Sequence, residues 1–298
     1  MVPGSFAWCV LAATPVFAQS PAVPVDPVPP EVIVRDSATG KTTVRITRLT
    51  SPLKLDGRLD EPFYETVSSM SGFIQMEPEG GEPATEKTEI WLSFDQDNVY
   101  VSIRAWESQP DRMVVNEMRR DSNNIRQGES LGFSFDTFYD QRNAIQFEIN
   151  PLGGRTDGQS VNERQYNADW NPVWDLAVGE FENGWTAEVA LPFKSLRYGP
   201  GREQVWGFQA RRINKWKNEV SFLTEVPPSY GMGRGSFSAS LFATVIGLEA
   251  PAGSNNVEIK PYATANLTTD NTASPPIVHD PGGDVGADAK YGLTQNLT

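Results

Sequence analysis

Residues 167–198, NADWNPVWDLAVGEFENGWTAEVALPFKSLRY, decide the fold. From Trp185 the apolar residues Trp185, Ala187, Val189, Leu191 and Phe193 alternate with Thr186, Glu188 and Lys194, the period of two that turns one strand face to a core. Asn183-Gly184 stands just before them, and this dipeptide supplies the positive φ angles of a two-residue hairpin turn. The pattern predicts that residues 174–181 pair antiparallel with residues 185–193. Trp170 falls in the polar loop that leads into this hairpin, between Asp169 and Asn171 and beside Asn167, where no core position competes.

The same alternation recurs upstream. In residues 88–94 and 99–106, Ile90, Leu92 and Phe94 share a face with Val99, Val101, Ile103 and Ala105, and Asp95-Gln96-Asp97-Asn98 joins the two strands. Trp91, Tyr100 and Trp106 take the opposite face, which implies either a second packed layer or an exposed aromatic platform. Leu131, Phe133 and Phe135, then Ile145, Phe147 and Ile149, mark two more strands around the loop DTFYDQRN at residues 136–143, and Asn150-Pro151-Leu152-Gly153-Gly154 stops the second. Residues 205–211 and 219–225 are strands around a basic bend that holds Arg211, Arg212, Lys215, Trp216 and Lys217, and residues 239–248 resume an apolar strand. Residues 32–49 form an opening hairpin about Thr39-Gly40. Asp60-Glu61-Pro62 starts a short helix, its acids serving as a cap or as calcium ligands. Residues 113–128 are a polar excursion with one helical turn. About ten strands with few helices and no repeat point to an all-β, antiparallel β-sandwich over residues 32–250.

The ends differ in character. Residues 6–18, FAWCVLAATPVFA, form an apolar run closed by Val16-Phe17-Ala18, which identifies residues 1–18 as a signal peptide cleaved after Ala18 and the protein as exported. Cys9 lies within it, so the mature chain contains no cysteine and depends on its core, with bound calcium as a further support. Residues 19–31 are a proline-rich tether. Residues 257–268 and 287–297 are strands of a length that crosses an outer membrane obliquely, with a Pro, Asp and Gly-rich loop between them; an edge hairpin of a soluble domain fits equally well. The 38 acidic against 25 basic residues leave a formal charge of −13 without a Lys or Arg run to track a phosphate backbone, which excludes nucleic acid as a partner.

An ordered set of motifs, L55-D-G-R-L-D-E-P-F63, E86-K-T-E-I-W-L-S-F-D95, N98-V-Y-V-S-I103, D136-T-F-Y-D-Q-R-N143, F147-E-I-N-P-L-G153, W174-D175 and G184-W-T-A-E-V-A-L-P-F-K-S-L-R197, resembles the family 9 carbohydrate-binding module, in the form that precedes a bacterial outer-membrane β-barrel region of unknown function. The resemblance covers residues 53–248. It implies a jelly-roll-like sandwich that binds sugars through tryptophans and carries structural calcium, linked to polysaccharide binding or breakdown. It also implies that residues 251–298, with K290-Y-G-L-T-Q-N-L-T298, are the start of a β-barrel at the outer membrane.

Sugar binding requires a flat aromatic face for the C–H side of a pyranose, with amides, carboxylates and Arg for the hydroxyls. Trp170 with Asn167 and Asp169 fits this chemistry, followed by Trp216 between Lys215 and Lys217, and Arg142 and Asn143 add polar partners. Trp174 shares its strand face with Leu176 and Val178, and Trp185 with Val189 and Leu191, so both belong to the core. Asp95, Asp97, Asp136 and Asp140 are the candidate Ca²⁺ ligands, as hard oxygen donors in loops. His279 is the only histidine, so a catalytic triad or a multi-histidine metal site has no raw material. A glycosidase needs only two carboxylates, and Asp136, Asp140, Glu148, Asp157 and Asp169 keep that minor reading open. A protein-docking sandwich that uses the same aromatics as contacts is the other alternative to a non-catalytic carbohydrate-binding module.

Overall fold

The computed structural model describes residues 31–251, 257–270, 272, 274, 275 and 277–291, so the expected signal peptide, residues 19–30 of the tether and residues 292–298 lie outside the described residues. Two sheets form a sandwich. The larger has ten strands, in the spatial order Ile33–Arg35, Thr42–Arg45, Ala243–Glu249, Glu203–Asn214, Ser130–Asp136, Ala144–Ile149, Arg155–Val161 and Gln165–Asn167; Glu219–Phe222 and then Ile74–Glu77 branch from Glu203–Asn214. The smaller has five, in the order Asp175–Phe181, Gly184–Pro192, Asn98–Trp106, Thr88–Phe94 and Thr47–Arg48.

The sandwich is not purely antiparallel. Ala243–Glu249 pairs parallel with Thr42–Arg45, and Thr88–Phe94 pairs parallel with Thr47–Arg48. Both exceptions come from one stretch of chain, which leaves the large sheet at Arg45 and enters the small one at Thr47, with Ile46 buried in the step. The opening hairpin about Gly40 forms as expected, and Pro62 begins the short helix Pro62–Thr66. The polar excursion contains the 3-10 turn Asn123–Gln127. Ile74–Glu77, Arg155–Val161 and Gln165–Asn167 go beyond the strands expected from the sequence; the first alternates over only four residues, and the other two are polar and carry no apolar alternation.

The decisive hairpin forms one residue out of its expected place. Asp175–Phe181 pairs with Gly184–Pro192 in a register that sets Phe181 opposite Gly184, so the turn is Glu182-Asn183 and Gly184 is already strand. Gly184 has φ 147°, and a Cβ there would stand 2.0 Å from the Ala105 carbonyl oxygen on the neighbouring strand. The glycine serves the close approach of two strands rather than the turn.

Trp174, Trp185, Trp206, Phe133, Phe147 and Phe208 fill the space between the sheets, with the alternating aliphatics of both central hairpins around them. The second packed layer also exists. Leu53, Tyr64, Trp91, Tyr100 and Ala190 cluster on the outer side of the small sheet, under a strap that includes the helix Pro62–Thr66. Glu188 anchors this strap, accepting hydrogen bonds from the backbone N–H groups of Asp56 and Gly57 and from the Tyr64 hydroxyl. Gly57, at φ 80°, lets the strap lie against the Val178 backbone, where a Cβ would approach to 2.4 Å. The polar positions of Gly184–Pro192 are therefore covered as fully as the apolar ones.

At the C-terminal end Val257–Asp270 pairs antiparallel with Ile277–Tyr291. Residues 277–286 of the Pro, Asp and Gly-rich stretch expected as a loop are thus strand. In a two-stranded ribbon both strands are edges, and Pro and Gly are tolerated there. Among the described residues this hairpin stands as a two-stranded sheet, not a closed barrel.

Trp185 is fully buried at the centre of the core. Trp185→Ala should cost about 3–5 kcal/mol through lost burial and a cavity, read as a shift of the urea midpoint; a midpoint within experimental error of the wild type would show that the core does not depend on this indole.

Candidate functional site

The register separates the predicted site residues. Ser130–Asp136 runs antiparallel to Glu203–Asn214 with Ser130 opposite Ile213 and Asp136 opposite Gly207, so the loop 136–143 and the bend at Trp216 lie at opposite ends of the large sheet. Arg142 and Asn143 sit in that loop. They are committed locally: Arg142 Nη2 donates to Asn162 Oδ1 (2.7 Å), Asn143 Nδ2 to Asp140 Oδ2 (2.5 Å), and Asn143 Oδ1 accepts from the Asn162 N–H.

The four candidate calcium ligands divide between two loops of different sheets. Asp95 accepts from the backbone N–H groups of Asp97 and Asn98 and from the Tyr100 hydroxyl. Asp136 accepts from the N–H groups of Phe138, Asp140 and Gln141, and Asp140 from those of Arg142 and Asn143. These carboxylates order their own turns. Among the described residues no group of three or more His, Cys, Asp or Glu side chains is arranged to hold a metal.

The Trp216 end is a network of buried charge. Arg212 points between the sheets, where its guanidinium donates to Glu129 (3.1 and 3.2 Å), Glu107 (3.2 Å), the Lys87 carbonyl and the Thr88 hydroxyl. Glu107 also accepts from Asn214 Nδ2 (2.8 Å) and from Trp216 Nε1 (2.9 Å). Trp216 is half-buried, and the Arg112 guanidinium and the Lys217 ammonium stand 4.5 and 5.0 Å from its ring centroid. Lys217 is itself paired with Glu86. The basic bend is therefore not an exposed cationic rim: Arg211 and Arg212 are buried, and the Trp216 ring already has cations over it. Beside it a shallow depression is lined by Glu86, Lys87, Trp106, Glu107, Ser108 and Asn183.

Trp170 occupies a different setting. Between Gln165–Asn167 and Asp175–Phe181 the chain crosses from the edge of the large sheet to the edge of the small one, and Trp170 and Trp174 close that side of the sandwich. Both rings meet Phe147 edge-on, at centroid distances of 5.7 and 5.2 Å. Trp174 is buried. Trp170 is half-buried and packs on the core, which corrects the expectation of a loop residue without core contacts. Its neighbours are polar and organised: Asn167 Oδ1 accepts from the Asp169 N–H, Trp174 Nε1 donates to Asp157 Oδ2 (2.9 Å), and Arg120 Nη2 links Asp157 Oδ2 to Asn171 Oδ1, both at 2.7 Å. Arg120 and Asp157 were not among the predicted binding residues. They arrive from the polar excursion and from a strand that carries no apolar pattern, so sequence periodicity held no signal for them. Of the carboxylates open to a glycosidase reading, Asp157 faces inward beside Phe147, whereas Glu148 faces outward and is paired with Arg211.

Burial acts on several acids. Desolvation pushes Glu129 from its ordinary 4.5 up to about 7, against the pull of Arg212, and pushes Asp136 from 3.8 up to about 6. Each folded value lies above the unfolded one, so between pH ~4.5 and ~7 the native state binds protons that the unfolded chain has released, and stability should rise as pH falls through that window. Glu86, Glu89 and Glu148 are held below the ordinary range by their Lys, Arg and hydroxyl partners, and their contribution is lost below about pH 4.5. Thermal melts should therefore peak near pH 5, and Glu129→Gln should flatten the slope between pH 5 and 7; an unchanged slope in that variant would show that Glu129 is not the titrating group.

No family model matches the sequence, and no curated protein matches it. Among solved structures the chain is similar to a protein of Bacteroides uniformis assigned provisionally to carbohydrate binding, at 10% identity and a TM-score of 0.52 over 68% of this chain and 98% of that one. It is also similar to a family 9 carbohydrate-binding module of Caldicellulosiruptor kristjanssonii, solved with cellotriose and with glucose, at 15% identity and a TM-score of 0.48; the cellotriose complex is covered over 70% of this chain and 95% of that one. The first likeness shows a shared β-sandwich fold. In fold, the chain is thus similar to the Bacteroides uniformis protein.

Proposed function

We propose that the protein is an exported, non-catalytic carbohydrate-binding module that takes an oligo- or polysaccharide at the Trp170 corner and associates with the outer membrane through its C-terminal hairpin. The observation that carries the binding reading is Trp170 itself. It is an indole fixed edge-on by Phe147, only half-buried, and flanked by the Arg120, Asn171, Asn167 and Asp169 side chains that hydroxyl recognition requires. Trp216 is the weaker candidate because cations already stand over its ring. The fold shared with the Bacteroides uniformis protein is consistent with this reading. Calorimetric titration with cellotriose and a glycan array test it. Trp170→Ala should weaken binding by roughly 1–3 kcal/mol, the scale of one lost stacking contact, and lower stability by about 1–2 kcal/mol, less than loss of a fully buried indole; binding equal to wild type would remove Trp170 from the site.

The membrane reading is supported by the faces of the hairpin. Ile259, Pro261, Ala263, Ala265 and Leu267 lie opposite Ala289, Ala287, Val285, Gly283 and Pro281, an unbroken apolar face nine residues long. The other face sets Tyr262, Thr264, Asn266 and Thr268 against Gly286, Asp284, Gly282 and Asp280. Ile259, Leu267 and Val285 are 64%, 63% and 86% exposed, and such an apolar band matches the lipid-facing side of an outer-membrane strand, for which about 9–11 residues suffice. Export is supported by the apolar run that ends at Ala18. On cell fractionation Val285→Lys, on the apolar face, should reduce recovery in the outer membrane, whereas Thr264→Lys, on the polar face, should not; equal recovery of both would rule out insertion by this hairpin.

A further inference from the structure

Three residues of the Trp170 corner have a geometry that exceeds what stacking needs. Asp157 lies on the inner face of its strand, 2% exposed, and uses its two oxygens unequally. Oδ2 accepts from Trp174 Nε1 and from Arg120 Nη2, whereas Oδ1 is buried without a hydrogen-bond partner. An ionised carboxylate with one buried oxygen unpaired works against stability, and burial raises the pKa of Asp157 accordingly. Arg120 spans from this buried acid to the surface. Its Nη2 holds Asn171 Oδ1, its Nε faces Asp121 at 3.3 Å, and its side chain remains about one-third exposed.

A guanidinium has five N–H donors in one rigid plane. Nη2 spends its two on Asp157 and Asn171, Nε lies against Asp121 as an ion pair, and the two on Nη1 meet no acceptor among the described residues. The plane is fixed from inside by Asp157 and from outside by Asn171, the residue that follows Trp170. Because Asn171 follows Trp170, these unspent donors belong to the same corner as the half-buried indole, and the bonds to Asp157 and Asn171 fix the plane they lie in before any ligand binds.

Resting on the sugar-binding reading of this corner, we propose that Arg120 contacts the ligand through its Nη1 N–H pair, donating to adjacent hydroxyl oxygens of the pyranose on Trp170, and that Asp157 is the positioning residue that aims it. Asp157 and Asp121 already balance the guanidinium charge, so the arrangement favours a neutral sugar over a uronate.

The test uses an array of neutral gluco-, xylo- and manno-oligosaccharides with oligogalacturonides, followed by titration of the full chain with the best array glycan. Arg120→Lys keeps the charge and loses the fork; it should melt with the wild type and bind about ten-fold more weakly. Asp157→Asn keeps an acceptor for Trp174 and loses the charge; it should weaken neutral-sugar binding to a similar degree and raise the ratio of oligogalacturonide to neutral binding. The double variant should bind no more weakly than either single one, because both break the same contact. Undiminished binding by Arg120→Lys overturns the contact, and additive losses overturn the positioning role. If Asp157→Asn fails to fold, Arg120→Lys and Asn171→Ala decide the outcome on the same criteria. A wild type that binds no array glycan overturns the sugar-binding reading and this inference with it, whereas a wild type that binds while all variants equal it overturns this inference alone.

Discussion

The sandwich turns on one cation. Arg212 projects into the space between the sheets at 1% exposure and bonds to both: Glu129 leads the neighbouring strand of its own sheet, and Glu107, Lys87 and Thr88 belong to the other. A buried pair of this kind returns little net stability over an apolar core, yet losing one partner leaves a charge stranded at a cost of about 3–5 kcal/mol. Its value is in register. The guanidinium meets two carboxylates, a carbonyl and a hydroxyl only when both sheets are placed correctly, so the end of the sandwich that holds Trp216 and the Glu107 cluster has one arrangement that satisfies every charge.

Arg211, the preceding residue, makes the same kind of demand on the opposite face. It is equally buried, and it pairs with Glu148 and donates to Ser236, beneath the short helix Gly231–Gly235. Glu148 can approach because Gly132 stands across from it, where a Cβ would be 2.6 Å from its Oε2. Two consecutive arginines in one strand thus face opposite ways and organise two polar layers. In the sequence they count toward a basic bend, since charge type is visible there and the carboxylate partners, 63 to 105 residues away, are not.

What could be read from the residues followed the physics of alternation. Trp185, Ala187, Val189 and Leu191 fall in the core because a strand repeats every two residues, and the same rule placed Trp174 there. Trp91 and Tyr100 showed that the other face of that sheet is also apolar, hence the second layer. Alternation is silent where a strand is held by polar contacts, as in Arg155–Val161 and Gln165–Asn167, and those strands carry Asp157 and lead to Trp170. The hairpin turn was misplaced by one residue for a related reason. Asn-Gly signals a turn from local backbone preference, whereas Gly184 answers to the Ala105 carbonyl of a neighbouring strand that is remote in sequence.

The same contrast separates the two tryptophans proposed for binding. Trp216 has charged neighbours in sequence, which suggests exposure; in space those charges lie over its ring and its N–H is spent on Glu107. Trp170 has polar neighbours in sequence, which suggests freedom from the core; in space it rests on Phe147. Contact with the core does not disqualify it. A stacking surface must be rigid if binding is not to carry the entropy of ordering it, and an indole fixed along one edge, with a polar chain from Asp157 through Arg120 to Asn171 beside it, meets that condition better than a ring on a free loop. The edge of the sandwich, where the chain changes sheets and neither sheet covers it, is the place in this fold where such a half-anchored ring can be held.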